Sequence, residues 1–229
     1  MTSTLPKPLS VSIVVPTLNE EANMRPLLRT IRRALGDRSY DLLVVDGGST
    51  DGTVDVARTF GARIFFDPNG KGAALRTGLG AAEGEVLVAI DADLSQQPRE
   101  LPAFIRAIED GYDICMGSRF MPGGKSYDIT LIRSIGNRLL CSLVNLRFGT
   151  HFTDLCYGYR SFRKEAFERL GLRECGFGIE AELSIAASKC RMRVVEIPSI
   201  EKKRKFGEAK LQTLRDGYIV LRTIVKNVF

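Results

Sequence analysis

Short runs rich in valine and isoleucine recur along this chain, and between them the apolar residues switch to a helical period. The runs are VSIVVP (11–16), YDLLVVD (40–46), ARIFFD (62–67), EVLVAID (85–91), DICMGS (113–118) and RVVEIP (193–198). Apolar runs this short, bounded by turn residues, read as buried strands. Between the first two, Met24, Leu27, Leu28, Ile31 and Leu35 follow the i, i+3, i+4, i+7 spacing of an amphipathic helix, with Pro26 expected in its first turn. Helical patterns also fit 51–60, 71–83, 98–110, 130–148, 163–170 and 178–189. Such alternation predicts an α/β fold: a mostly parallel central sheet covered on both faces, with ligands at the carboxyl ends of its strands.

A chain of 229 residues, 44% hydrophobic and 26% charged, is long enough and ordinary enough to fold around one α/β core. Its five cysteines form no CxxC pair, so they read as thiols in a reducing compartment, neither a disulfide framework nor a zinc site. The first ten residues, MTSTLPKPLS, lack the apolar core of a signal peptide, and no stretch reaches the roughly 18 apolar residues of a membrane span. A cytoplasmic location is expected. The net charge of +6 and pI of 9.2 favour anionic partners: nucleic acid, phosphorylated small molecules or an anionic membrane surface.

The choice among these comes from acids at strand ends. PTLNE (16–20) follows the first run, Asp46 ends the second, and Asp91 and Asp93 follow the fourth. Ser49 and Asp51 read as caps of the next helix. Two carboxylates one residue apart repel each other and are costly to bury unless positive charge is supplied. A Mg²⁺ or Mn²⁺ ion meets that need, because these cations take oxygen ligands and are held by one or two carboxylates plus substrate phosphates. A purely nucleic-acid-binding protein would explain the charge but not these acids. An NAD-type enzyme would place GxGxxG after the first strand, where this chain has PTLNE, and a sugar nucleotidyltransferase would place a basic Gly-rich loop there.

From Val11 to about Lys210 the chain resembles the family 2 glycosyltransferases of the GT-A fold, and within them the dolichol- or polyprenyl-phosphate mannosyltransferases and their glucosyl relatives. The resemblance rests on SIVVPTLNEE, VVDGGSTDGT, GKGAALRTGL, DADLSQQP, GSRF, TDLCYGYRSF and RKFGEAK. It implies a Rossmann-like nucleotide-binding domain (11–210), which leaves a tail (1–10) before it and, by apolar spacing, a C-terminal amphipathic helix (211–229) after it. It also implies that Pro16, Leu18, Glu20, Val44, Asp46, Lys71, Asp91 and Ala92 hold the nucleotide of a nucleoside diphosphate sugar. Asp91 and Asp93 would bind the metal, with Ser95 standing where relatives carry a glutamine ligand. Arg119, Arg133, Arg204 and Lys210 match phosphate-gripping positions, work suited to the guanidinium fork. Asp93, Arg119 and Asp154 form the expected catalytic set.

The acceptor decides the mechanism. A phosphate monoester is already largely dianionic at pH 7 and attacks the anomeric carbon directly, with inversion; an alcohol needs a general base. Asp154 and Glu180 both stand in segments where a base or an acceptor-orienting acid fits, so a soluble hydroxyl acceptor stays open beside the polyprenyl phosphate. In the last segment Leu211, Leu214, Tyr218, Leu221, Val225 and Val228 recur at three- and four-residue spacing, with Ile224 beside them. That stripe either closes over the core, forms a dimer seam, or lies on an anionic membrane.

Overall fold

The computed structural model describes residues 8–207 and 213–228. The chain forms β1 (Val11–Thr17), α1 (Glu21–Leu35), β2 (Asp41–Asp46), α2 (Thr53–Arg58), β3 (Arg63–Phe66), α3 (Lys71–Ala81), β4 (Val86–Ala89), α4 (Leu101–Glu109), β5 (Ile114–Ser118), β6 (Lys125–Ser126), α5 (Leu131–Phe148), β7 (Arg160–Arg163), α6 (Lys164–Glu168), α7 (Ile179–Lys189), β8 (Val194–Pro198), β9 (Ile200–Glu201) and α8 (Thr213–Val228). The central sheet runs β3-β2-β1-β4-β7-β5-β8, and β6 pairs with β9 in a small ribbon. All six strands read from the valine- and isoleucine-rich runs are present. Strand β1 is parallel to both β2 and β4. The chain therefore winds outward from β1 to β3 and then returns to the other side of β1. That reversal opens a crevice at the carboxyl ends of β1 and β4, the place where open α/β sheets bind ligands.

Alternate residues of each strand feed two cores, as the period-2 geometry of a strand requires. Val14, Leu43 and Val45 face one core with α3, α5, α7 and α8; Ile13, Val15 and Val44 face the other with α1 and α4. Helix α3 lies close on the sheet because it has glycine at position 78. A Cβ there would collide with Val14 Cγ1 and lie 2.7 Å from Val45 Cγ2. Gly78→Ala is expected to destabilise the fold by about 1–3 kcal/mol through overpacking, read as a lower midpoint in urea unfolding.

The structure departs from the sequence reading in three places. Pro26 sits in the second turn of α1, because the helix begins at Glu21. Strand β7 has the sequence RSFR and lies antiparallel between β4 and β5. Its hydropathy hides it, since Arg160 is fully buried and donates to the carbonyls of Tyr157 and Leu155 and to Ser184 Oγ. In α8 the buried residues are Asp216, Val220, Thr223 and Ile224, while Tyr218, Leu221 and Val225 of the expected stripe face outward. Leu211 lies outside the described residues, as do the side chains of Leu214 and Val228. Helix α8 packs on α7 and α5 through the face that spacing alone did not single out.

Candidate active site

The turn after β4 carries the paired aspartates. Its residue Leu94 is forced to a φ of 65°, a left-handed conformation uncommon for a side-chain-bearing residue and typical of constrained sites. Gln96 holds Asp91 from two directions: its Nε2 donates to Asp91 Oδ2 at 2.8 Å, and its Oε1 accepts from the Asp91 N–H at 2.9 Å. Ser95 donates its backbone N–H to Asp93 Oδ1 at 2.9 Å. The residue one place beyond the expected Ser95 therefore orients the first aspartate.

Three cations, each held by two carboxylates from elsewhere in the chain, surround this turn. Lys71, the first residue of α3, places Nζ 2.9 Å from Asp91 Oδ1 and 2.9 Å from Glu180 Oε1. Burial alone would lower the lysine pKa, but the two carboxylates outweigh it and hold the ammonium above the ordinary lysine range. Asp91 is raised, chiefly by burial, with Lys71 opposing and the neighbouring Asp93 and Glu180 carboxylates adding to the rise.

Arg204 makes the second set. Its Nη1 donates to both oxygens of Glu20 at 2.8 and 2.9 Å, and its Nη2 lies 3.3 Å from Asp93 Oδ2. The loop that brings it there is pinned by Lys202 N–H to Ser95 O at 2.8 Å and turns at Gly207 with a φ of 73°. Glu100 anchors the root of the loop, accepting from Ser199 Oγ and from the Ile200 N–H.

Arg119 makes the third set at the end of β5. Its Nε and Nη2 donate to Asp154 at 2.7 and 3.0 Å, and its Nη1 reaches Glu201 at 3.2 Å. Burial would lower its pKa, but the carboxylates, Asp154 first, outweigh burial and hold it above the ordinary arginine range. Glu196 on β8 accepts from the N–H groups of Thr153 and Asp154, fixing the turn that carries the aspartate.

The three cations, together with Glu20, Asp91, Asp93, Glu180 and Glu201, line one cavity of about 780 Å³. At one end stand Pro16, Leu18 and Glu20 after β1; in the middle Lys71, Asp91, Ala92, Asp93, Ser95, Arg119, Glu180 and Arg204; at the other end Ile132, Arg133 and Leu139 of α5 with Val220 and Leu221 of α8. Three expected residues do not line it. Val44 is buried in the sheet, and Asp46 turns its carboxylate into its own loop, accepting from the Gly48 and Ser49 N–H groups at 2.9 and 2.8 Å. Asp154 is 0% exposed and spends its oxygens on Arg119, so it stands behind the cavity wall and is not placed to take a proton from an acceptor. Lys210 lies outside the described residues. Gln96, Glu201 and Glu196 were not singled out by the sequence reading; Glu201 and Glu196 are identified only by pairing across the fold, and Gln96 by its contact with Asp91 within the same turn.

Asp91 and Asp93 offer hard oxygen donors, a set that suits Mg²⁺ or Mn²⁺. Among the described residues no three His, Cys, Asp or Glu side chains converge as a self-sufficient cage. Two carboxylates are what such an ion uses when phosphates and water complete its shell. All five cysteines are free, and burial pushes the Cys115 and Cys141 thiols up to about 12, which makes them poor nucleophiles.

A family model described as glycosyl transferase family 2 matches residues 12–171. Among curated proteins, glycosyltransferase AglJ of Haloferax volcanii is 30% identical over 223 residues, covering 94% of this chain and 71% of that protein. The undecaprenyl-phosphate mannosyltransferase of Micrococcus luteus is 31% identical over 219 residues, covering 89% of this chain and 88% of that protein. Among solved structures, glucosyl-3-phosphoglycerate synthase from Mycobacterium tuberculosis, in complex with Mn²⁺, uridine diphosphate and glucosyl-3-phosphoglycerate, aligns with a TM-score of 0.75. The identity is 23%, with 96% of this chain and 80% of that chain covered, so the likeness speaks to the fold.

Proposed function

The chain belongs to glycosyl transferase family 2, and from that premise we propose that it moves a hexosyl group, of mannose or glucose type, from a nucleoside diphosphate sugar to a polyprenyl phosphate. The observation that carries this reading is the two-ended chemistry of the cavity. Its middle is built of carboxylates and fixed cations. Its far end is rimmed by side chains that line the cavity and yet face solvent: Ile132 is 70% exposed, Leu139 66% and Leu221 44%. An anionic head on a hydrocarbon tail matches both ends. The names of the relatives point the same way, since an undecaprenyl-phosphate mannosyltransferase is among them.

Pro16, Leu18 and Glu20 cradle the nucleoside end of the donor, and Ala92 lines the path between the two aspartates. Asp91 and Asp93, with Ser95 beside them, would hold the divalent cation, which would neutralise charge on the diphosphate of the donor. Arg119 and Arg204 are charge-assisted donors for phosphate oxygens, and Arg133 reaches the cavity from the α5 side. The acceptor phosphate has its second pKa near 6, so at neutral pH its oxygen attacks the anomeric carbon without a general base. The new bond is phosphate oxygen to anomeric carbon. The bond that breaks is anomeric carbon to diphosphate oxygen, and its electron pair leaves with the nucleoside diphosphate. Attack from the opposite face inverts the configuration.

No helix among the described residues is long and apolar enough to cross a membrane. Leu131, Ile132, Ile135 and Leu139 of α5 and Tyr218, Leu221 and Val225 of α8 are exposed, with Arg138, Arg222 and Lys226 between them. Apolar and cationic residues so interleaved suit peripheral contact with an anionic membrane, the source of the acceptor. The test is turnover with Mn²⁺, GDP-mannose or UDP-glucose, and either a short-chain polyprenyl phosphate or the matching free alcohol. The phosphate is expected to be the better acceptor. Preference for the alcohol, or for a soluble phosphorylated metabolite, rejects the lipid-phosphate reading while leaving the donor chemistry intact.

A further inference from the structure

Residues 172–178 of the connection between α6 and α7 lie beyond the residues matched by the family model, yet they reach the cavity, whose wall includes Phe177. The carbonyl of Cys175 accepts the N–H groups of Gly72 at 2.7 Å and Ala73 at 3.1 Å, two of the donors left open by the first turn of α3. The approach is close enough that a Cβ at Gly72 would sit 2.6 Å from the Glu174 carbonyl oxygen. Lys71 therefore begins its helix inside this clasp, and its Nζ stands 6.0 Å from the Phe177 ring centre. The segment is held in turn by two side chains. Glu182 accepts the Arg173 and Glu174 N–H groups, at 3.1 and 2.8 Å to its Oε2. Thr223 of α8 donates its hydroxyl to Glu174 Oε2 at 2.9 Å.

Each contact in this series is short, and together they run without a gap from α8 to the aspartate pair: Thr223, Glu174, the Cys175 carbonyl, the first turn of α3, Lys71, Asp91. We infer that Glu174 and Thr223 are positioning residues for the donor: their hydrogen bond seats the 172–177 segment on α3 and so fixes Lys71 between Asp91 and Glu180. The consequence is a link between two ends of the reaction. Val220 and Leu221, beside Thr223 on α8, line the acceptor end of the cavity, so the seating of α8 is transmitted to the donor diphosphate site. Thr223 is buried and Glu174 partly so, which limits the water that can compete for this hydrogen bond. The part of this inference that concerns substrates rests on the glycosyltransferase reading above; the clasp itself does not.

The experiment compares Thr223→Val, which keeps the volume and removes the hydroxyl, with Thr223→Ser, which keeps the hydroxyl. Amide exchange at Gly72 and Ala73 and the affinity for UDP and for GDP with Mn²⁺ are measured in both. In Thr223→Val the two amides are expected to exchange about tenfold faster and the bound nucleotide to weaken about tenfold, the effect of losing one hydrogen bond to a charged acceptor. Thr223→Ser restores both, and KM for the acceptor stays within about twofold. Glu174→Ala reproduces the Thr223→Val effect, and the double variant adds little to either, as expected of one shared contact. Unchanged exchange at Gly72 and Ala73 in Thr223→Val overturns the inference, and so does a Thr223→Ser protein as impaired as Thr223→Val. If the wild-type protein binds neither nucleotide, the functional reading fails, and the amide exchange still decides the clasp.

Discussion

Asp93→Ala is expected to lower metal-dependent turnover by about two to three orders of magnitude, the loss seen when one preorganised electrostatic partner of a transition state is removed. Two effects add. The variant loses one of the two carboxylates proposed to hold the cation, and Arg204 loses the carboxylate 3.3 Å from its Nη2. Glu20 still grips Arg204 through both oxygens, so the loop that carries it should stay seated and the fold should survive. The distinguishing measurement is binding of UDP or GDP with and without Mn²⁺. Wild-type binding should be strongly strengthened by the ion and Asp93→Ala binding nearly indifferent to it. Undiminished metal-dependent binding in the variant would show that the cation is held elsewhere.

The second large effect is one of stability. Asp154 is fully buried and its partner Arg119 has only 8% of its side chain exposed, so the pair has little water to fall back on. Removing one member of a buried pair strands the other charge, which costs about 3–5 kcal/mol. Asp154→Ala should fall at the lower end, because Glu201 remains 3.2 Å from Arg119 Nη1. For a domain of this size about 3 kcal/mol lowers Tm by roughly 6–12 °C, measurable by calorimetry. Asp154→Asn keeps an acceptor for the guanidinium and should lose less. Its pH–rate profile should keep the acidic limb of the wild type, because that limb belongs to the second ionisation of the acceptor phosphate. Loss of the limb in Asp154→Asn would make the aspartate a general base after all, and would bring the hydroxyl acceptor back.

Local pattern was enough to read the alternation of strand and helix, the placement of PTLNE and of the paired aspartates at strand ends, and the buried face of α1, whose Met24, Leu27, Leu28, Ile31 and Leu35 are all in the core. These depend on side-chain periodicity and on turn chemistry within a few residues, which a sequence displays directly. Strand β7 was not legible, because a buried arginine reads as a surface residue until the carbonyls that receive it are in place. In α8 two apolar faces compete, and periodicity cannot say which one a neighbouring helix will cover. The ion pairs that make the site are further still from local pattern: Arg204 and Glu20 are 184 positions apart, and Lys71 meets Asp91 and Glu180 only because α3 and α7 begin where β4 ends, at one edge of the sheet. Which acids and bases the chain carries, and at which strand ends, is written in the sequence. Which of them face the cavity and which stand behind its wall was decided by the tertiary structure, because burial and pairing set the cost of a charge and both depend on neighbours distant in the chain.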